Sequence, residues 1–133
     1  MPPVLLDGEC LTLDDLEQVA RHGAAVALDP AALPKVQAAR RVIEAALAAE
    51  RPIYGVSTGF GPLSDVFVGS ADREALQRNL LRSHAIGIGD PIGEAETRAT
   101  ILLRANVLAK GHSGVRPEII ELLCELLSRG VHP

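Results

Sequence analysis

The segment Tyr54-Gly55-Val56-Ser57-Thr58-Gly59-Phe60-Gly61-Pro62 gathers the residue types from which a reactive loop can be built. Tyr54 is the only tyrosine of the chain, and a phenol can take or give a proton as well as form hydrogen bonds. Gly55, Gly59 and Gly61 fall within seven residues. Glycine admits backbone conformations closed to other residues, lets a chain approach a ligand closely, and suits a loop that closes as a lid. The pattern is not that of a phosphate-binding loop, because no Lys-Ser/Thr follows and the Gly-x-Gly-x-x-Gly spacing is missing. Two readings stand side by side. One is a structural glycine turn with Tyr54 packed half-buried at its entrance; the other is a loop that folds over a ligand.

His84 is the second candidate. Leu76, Leu80 and His84 recur at i, i+4 and i+8, which puts them on one helix face. An imidazole there is ordinarily a satisfied core group; the functional alternative is a ring contact or base active near neutral pH. The other histidines are less suggestive. His22 stands at a helix end, where its charge complements the dipole, His112 falls in a turn, and His132 is nearly terminal. Arg104 and Asn106 lie in a helix and Arg116 precedes another, as ordinary solvated or capping groups. No Ser/His/Asp arrangement, carboxylate pair or metal-ligand spacing is legible, so no metal is expected.

The elements that must position these groups read as mainly helical. Val4 to Leu11 is expected to form a short strand or a hairpin around Asp7-Gly8. Thr12 starts a helix with Asp15 three residues on, a capping box, and Gly23 ends it. Leu13, Leu16, Val19 and Ala20 form its apolar face. Asp29-Pro30 opens a second helix reaching about Glu50, with Val36, Ile43 and Leu47 inward. Periodicity is lost over 53–69, and loops longer than ~12–15 residues in a compact domain are usually functional or disordered. Val56, Phe60, Leu63, Val66 and Phe67 argue against disorder. Ser70 is expected to cap the helix carrying His84, which Gly87, Gly89 and Pro91 break. A fourth helix spans about Glu94 to Lys110 with Ile101, Leu102, Ala105 and Leu108 inward. Pro117 opens a fifth with Ile120, Leu123, Leu126 and Leu127, stopped by Gly130.

Composition narrows the class. Apolar residues reach 47 %, enough for a core, while aromatics are only 2 %, so the core must be aliphatic. That suits packed helices better than a sandwich or barrel. The formal charge of −4, with scattered basic residues and no interleaved aromatics, argues against nucleic acid. No apolar run approaches the ~20 residues of a membrane span, and the N-terminus lacks the pattern of a secretory signal. Cys10 and Cys124 are expected to be buried free thiols in a reducing cytoplasm.

Three ordered blocks carry a resemblance. Tyr-Gly-Val-Ser-Thr-Gly-Phe-Gly-Pro-Leu at 54–63 resembles the mobile catalytic loop of the aromatic amino-acid ammonia-lyase and aminomutase family, to which histidine ammonia-lyase belongs. Leu-Gln-Arg-Asn-Leu-Leu-Arg-Ser-His-Ala-Ile-Gly-Ile-Gly at 76–89 is similar to the family's next helix. Leu-Ala-Lys-Gly-His-Ser-Gly-Val-Arg-Pro at 108–117 is similar to its third block, and the closing residues 126–133 resemble the run towards the family's Ala-Ser-Gly tripeptide. The match is weak before residue 50 and strong after it.

The resemblance implies the N-terminal helical region of an ammonia-lyase-like fold across 1–133, with 53–69 as the mobile catalytic loop. It implies that Tyr54 is the base that removes a β-proton, and that Gly55, Gly59, Phe60 and Gly61 shape the loop closing over substrate. Because an ordinary phenol ionises near pH ~10, a complete site must stabilise the phenolate. Ser83-His84 falls where the family lines its substrate-ring pocket. That dipeptide is the histidine-lyase-like pair and also occurs in tyrosine aminomutases; an imidazole can hydrogen-bond an imidazole or a phenol. Ser57, where many histidine lyases have Asn, and Lys110 to Ser113 are more like tyrosine-active members. The family's methylidene-imidazolone electrophile derives from Ala-Ser-Gly, which is absent here and expected shortly after Pro133, so the chain alone is expected to be inactive. The resemblance also implies an amino-acid substrate and a homotetrameric, cytoplasmic parent enzyme. Histidine to trans-urocanate and ammonia is the leading expectation. A tyrosine ammonia-lyase or 2,3-aminomutase is the alternative, and a non-catalytic helical binding or assembly module the reading from a different class.

Overall fold

Local hydrogen-bonding chemistry sets the first helix ends of the chain. The computed structural model describes residues 2–133. Strand β1 (Val4–Leu6) leads to helix α1 (Leu13–His22), strand β2 (Val26–Leu28) and helix α2 (Leu33–Ala48), the last entered through a 3-10 turn at Pro30–Ala32. Helices α3 (Arg73–His84), α4 (Glu94–Ala109) and α5 (Pro117–Ser128) follow. At α1 the capping box forms as expected: Thr12 Oγ1 accepts from the Asp15 amide at 3.1 Å, and the Asp15 carboxylate accepts from the Thr12 amide at 3.0 Å. Gly23 closes the helix in the left-handed region at φ 68°. Asp29 accepts from the Ala31 amide at 2.8 Å, with Pro30 in the first turn. Helix α2 stops at Ala48, two residues short of the expected Glu50, and Glu50 itself takes the left-handed turn at φ 50°.

The chain divides into two units, one comprising the residues up to Val42 with Pro91–Pro133 and the other Ile43–Asp90. In the first, β1 and β2 pair in parallel, Val4 opposite Val26 and Leu6 opposite Leu28, with α1 as the crossover. Of the short strand or hairpin expected around Asp7-Gly8, the strand is the one that forms. Asp7 instead accepts from the amides of Glu9 and Cys10 at 2.7 and 2.8 Å, and the Gly8 amide is taken by Asn106 Oδ1 at 3.1 Å. Those bonds turn the chain towards α1 rather than back along β1. Lys35 Nζ adds a bond of 2.6 Å to the Asp7 carbonyl.

The core of this unit is aliphatic. Helix α4 supplies Ile101, Leu102, Ala105, Leu108 and Ala109, packed with Leu6, Val19, Val26, Val36, Ile120, Cys124 and Leu127. Helix α4 lies against α1 and α5, and α5 against β2. Fully burying one Leu or Ile here stabilises the fold by about 1.5–3 kcal/mol. Leu13 departs from expectation: at the first position of α1 it precedes the buried stripe and is 82 % exposed. Ile43 and Leu47 are only half-buried. Of the cysteines, Cys124 is buried but Cys10 is exposed in the turn after β1, which corrects the expectation of two buried thiols. Burial pushes the Cys124 thiol up to about 11, and the Asp7 carboxylate raises that of Cys10, so neither is activated.

Among the described residues, Arg98 is the one charged side chain buried in this core. Its Nε and Nη2 donate to the Val19 carbonyl at 3.0 and 2.8 Å, and Nη1 donates to the Leu127 carbonyl and to His132 Nε2, both at 3.0 Å. The guanidinium thus meets carbonyls in the last turns of α1 and α5, where the helix dipoles are negative. Arg98→Met is expected to lower stability by about 3–5 kcal/mol, because it strands buried carbonyls at two helix ends. Denaturant unfolding of wild type and variant measures this, and a loss below about 1 kcal/mol would show the bonds to be incidental. The two amides on Asp7, Cys10's first and then Glu9's, hold its carboxyl at about 2, below the usual 3.8. A depressed folded-state value means that stability is present above pH 4 and lost as pH falls towards 2. Asp7→Asn keeps the turn's acceptor and should flatten that part of the acid limb in a pH series of unfolding curves.

Candidate functional site

Residues 53–69 form a loop closed on its own hydrogen bonds. Two buried hydroxyls organise its first half. Ser57 Oγ accepts from the Ile53 amide and donates to the Arg51 carbonyl, both at 2.9 Å. Thr58 Oγ1 accepts from the Gly55 amide at 3.3 Å and donates to the Gly59 carbonyl at 3.1 Å. The return half is held by the Gly59 amide on the Val66 carbonyl at 3.1 Å and the Val68 amide on the Ser57 carbonyl at 2.8 Å. Between them lies a 3-10 turn at Gly61–Leu63.

The glycines are required for different reasons. Gly55 sits at φ 70°, in the left-handed region. Gly59 needs no special φ, but a Cβ there would stand 2.6 Å from Leu63 Cβ and 2.7 Å from its carbonyl oxygen. Its lack of a side chain lets the 3-10 turn close onto the strand-like bridge between Thr58 and Phe67.

Tyr54 is 65 % exposed, and its ring meets Phe60 edge to face with centroids 5.9 Å apart at 74°. Such a pair contributes roughly 0.5–1.5 kcal/mol beyond burial. The hydroxyl has no hydrogen-bond partner among the described residues. Phe67 holds the other end of the loop, with the Arg73 guanidinium 5.9 Å from its ring centroid while Arg73 Nε donates to the Val68 carbonyl at 3.2 Å.

Helix α3 begins at Arg73 with Asp72 at the N-cap position and no side-chain cap. Ser70, the expected cap, lies in the preceding turn, too early to reach the first helical amides. No residue of α3 is buried; Leu76 and Leu80 are half-covered, and His84, the last helical residue, is exposed. Its face is therefore not a core face. Phe60, Leu80, Leu81, His84 and Ala85 line an open apolar cleft instead. His84 Nδ1 lies 2.9 Å from Ser83 Oγ and 3.1 Å from the Leu80 carbonyl, and Ser83 Oγ donates to that carbonyl at 2.9 Å.

The loop and the helix end thus bring Phe60 and His84 to one cleft, with Tyr54 in edge-to-face contact with Phe60. Gly55, Gly59 and Gly61 shape the backbone rather than line the cleft. The sequence reading did not single out Thr58 or the lining residues Leu81 and Ala85; small hydroxyl residues within a glycine-rich apolar stretch were the available signal for Thr58. Among the described residues no group of three or more His, Cys, Asp or Glu is placed to hold a metal ion, and no helix is long and apolar enough to cross a membrane.

Residues 11–133 match the family model described as aromatic amino acid lyase. A histidine ammonia-lyase from Anaeromyxobacter dehalogenans is 51 % identical over 133 residues, covering 100 % of this chain and 26 % of the relative. Among solved structures, the tyrosine aminomutase of Streptomyces globisporus superposes with TM-score 0.91 at 41 % identity, covering 97 % of this chain and 24 % of the other. An ergothionase from Treponema denticola, an ergothioneine-degrading enzyme, gives TM-score 0.94 at 30 % identity over 99 % of this chain and 27 % of its own. The chain therefore spans about a quarter of the length of the proteins it matches. From the family model and these relatives together, the chain belongs to the aromatic amino acid lyase family.

Proposed function

We propose that this chain supplies the base and the substrate-ring contact of an ammonia-lyase, converting L-histidine to trans-urocanate and ammonia in the complete enzyme. The observation that carries the reading is the cleft shared by Phe60 and His84, with Tyr54 packed on Phe60 beside it. The β-hydrogen of an amino acid is only weakly acidic, so a base must stand ready in a site that shields it from water. Tyr54 is that base. Its side chain is free of internal hydrogen bonds, and the loop's glycines let it close over a bound amino acid. His84 hydrogen-bonds the substrate ring, and Phe60 with Leu80 and Leu81 covers the ring's apolar faces. The family's electrophile, formed from Ala-Ser-Gly, makes the substrate nitrogen a better leaving group when present. That tripeptide does not occur in this sequence. Assembly as a homo-oligomer and a cytoplasmic location belong to the same proposal.

A second reading, a tyrosine ammonia-lyase or 2,3-aminomutase, is supported by the tyrosine aminomutase likeness and by Ser57 within the loop. His84 suits a phenol as well as an imidazole, so product analysis must decide. Incubating the complete enzyme with histidine and with tyrosine is expected to yield urocanate from the first. Coumarate or β-tyrosine from the second, with no urocanate, would reverse the order of the two readings. Tyr54→Phe in the complete enzyme is expected to leave folding intact and lower kcat by roughly 10²–10⁴. Turnover near the wild-type rate would remove Tyr54 from the role of base.

A further inference from the structure

An imidazole meets a ligand as donor or acceptor according to which nitrogen carries the proton. At His84 the end of α3 decides this. Nδ1 lies 3.1 Å from the Leu80 carbonyl oxygen, which can only accept, so attraction between them requires the proton on Nδ1. Ser83 completes the arrangement. Its hydroxyl spends its single hydrogen on the same carbonyl, at 2.9 Å, and therefore turns a lone pair towards Nδ1, also 2.9 Å away. The other tautomer would set the Nδ1 lone pair against the carbonyl oxygen, and Ser83 could answer it only by giving up its own bond to Leu80. Nε2 makes no hydrogen bond among the described residues. A neutral His84 thus carries a free acceptor in the ring that lines the cleft with Phe60, Leu80, Leu81 and Ala85.

We propose that Ser83 is a positioning residue that holds the proton of neutral His84 on Nδ1, so that Nε2 reads a hydrogen-bond donor on the substrate's ring. This rests on the ring-binding role given to His84 above and deepens it. Ser83, expected as a substrate contact, spends its donor on Leu80 and one lone pair on His84. The ligand class that fits is an amino acid whose ring bears an N–H or O–H. A ring with only a lone pair at that place would face the lone pair of Nε2 and be rejected, although its shape were the same.

The test uses the complete enzyme and two isosteric competitive inhibitors, 3-(pyrrol-3-yl)propanoate, whose ring only donates, and 3-(furan-3-yl)propanoate, whose ring oxygen only accepts. Wild type is expected to bind the pyrrole about two- to tenfold more tightly, the worth of one net hydrogen bond. Ser83→Ala, which leaves the Leu80 carbonyl alone to hold the Nδ1 proton, should lower that ratio and raise KM for the amino-acid substrate more than it lowers kcat. Ser83→Thr, which keeps the hydroxyl, should restore the ratio. Equal inhibition of the wild type, or a ratio unchanged in Ser83→Ala, overturns the proposal; so does a pyrrole preference that persists in His84→Ala. Wild-type enzyme that turns over neither histidine nor tyrosine brings down the functional reading itself and the proposal with it, an outcome distinct from turnover without ring selectivity.

Discussion

The guanidinium of Arg98 sets the terms on which the first unit packs. A buried cation without a carboxylate in contact is costly unless each of its nitrogens finds an acceptor. Here all three do, through four hydrogen bonds to the Val19 and Leu127 carbonyls and to His132 Nε2. Those acceptors belong to the ends of α1 and α5 and to the segment after α5, so the three are fixed relative to α4 by one side chain. The aliphatic surfaces of α4 then determine how closely these neighbours approach, and apolar contact alone would tolerate small rotations that the hydrogen bonds do not. Arginine donates only, so His132 must offer Nε2 as an acceptor and carry its proton on Nδ1.

The residues of the candidate site live under a different regime. Their unit has its own hydrogen-bonded loop but a helix, α3, with no buried residue. Ser57 and Thr58 are buried and satisfied, which gives the loop a defined base, while Tyr54, Leu63 and Phe67 remain exposed on it. Leu81, Ile86 and Ile88 are likewise exposed. The candidate site's groups come from the part of the chain with the least apolar burial, the kind of region from which moving elements are drawn.

What could be read in the sequence follows the range of the interaction. Thr12 with Asp15, Gly23, and Pro117 at the start of α5 act within one helical turn and were legible, as was the inward stripe of α4. The parallel pairing of β1 with β2 was not, since it joins residues separated by a whole helix and Asp7-Gly8 resembles a hairpin turn locally. The exposure of Leu13 was misjudged because periodicity names a face without saying what covers it, and that of Cys10 because free cysteine is a commonly buried residue type. Arg98 left a trace that was passed over: three residues before Ile101 and seven before Ala105, it is a charge on an apolar stripe. At the site, Tyr54, the glycines and His84 were visible as residue types. The hydrogen bonds that divide labour between Ser83 and His84 required the helix end to be built.

The bond from the Gly8 amide to Asn106 Oδ1 spans 98 positions. On a ribosome adding ~5–20 residues per second, the turn after β1 waits about 5–20 s for its acceptor to be made. Strand β1 can pair with β2 much sooner, after the crossover helix α1. The turn after β1 is therefore locked long after it is made, and until α4 emerges its Gly8 amide stays open to water.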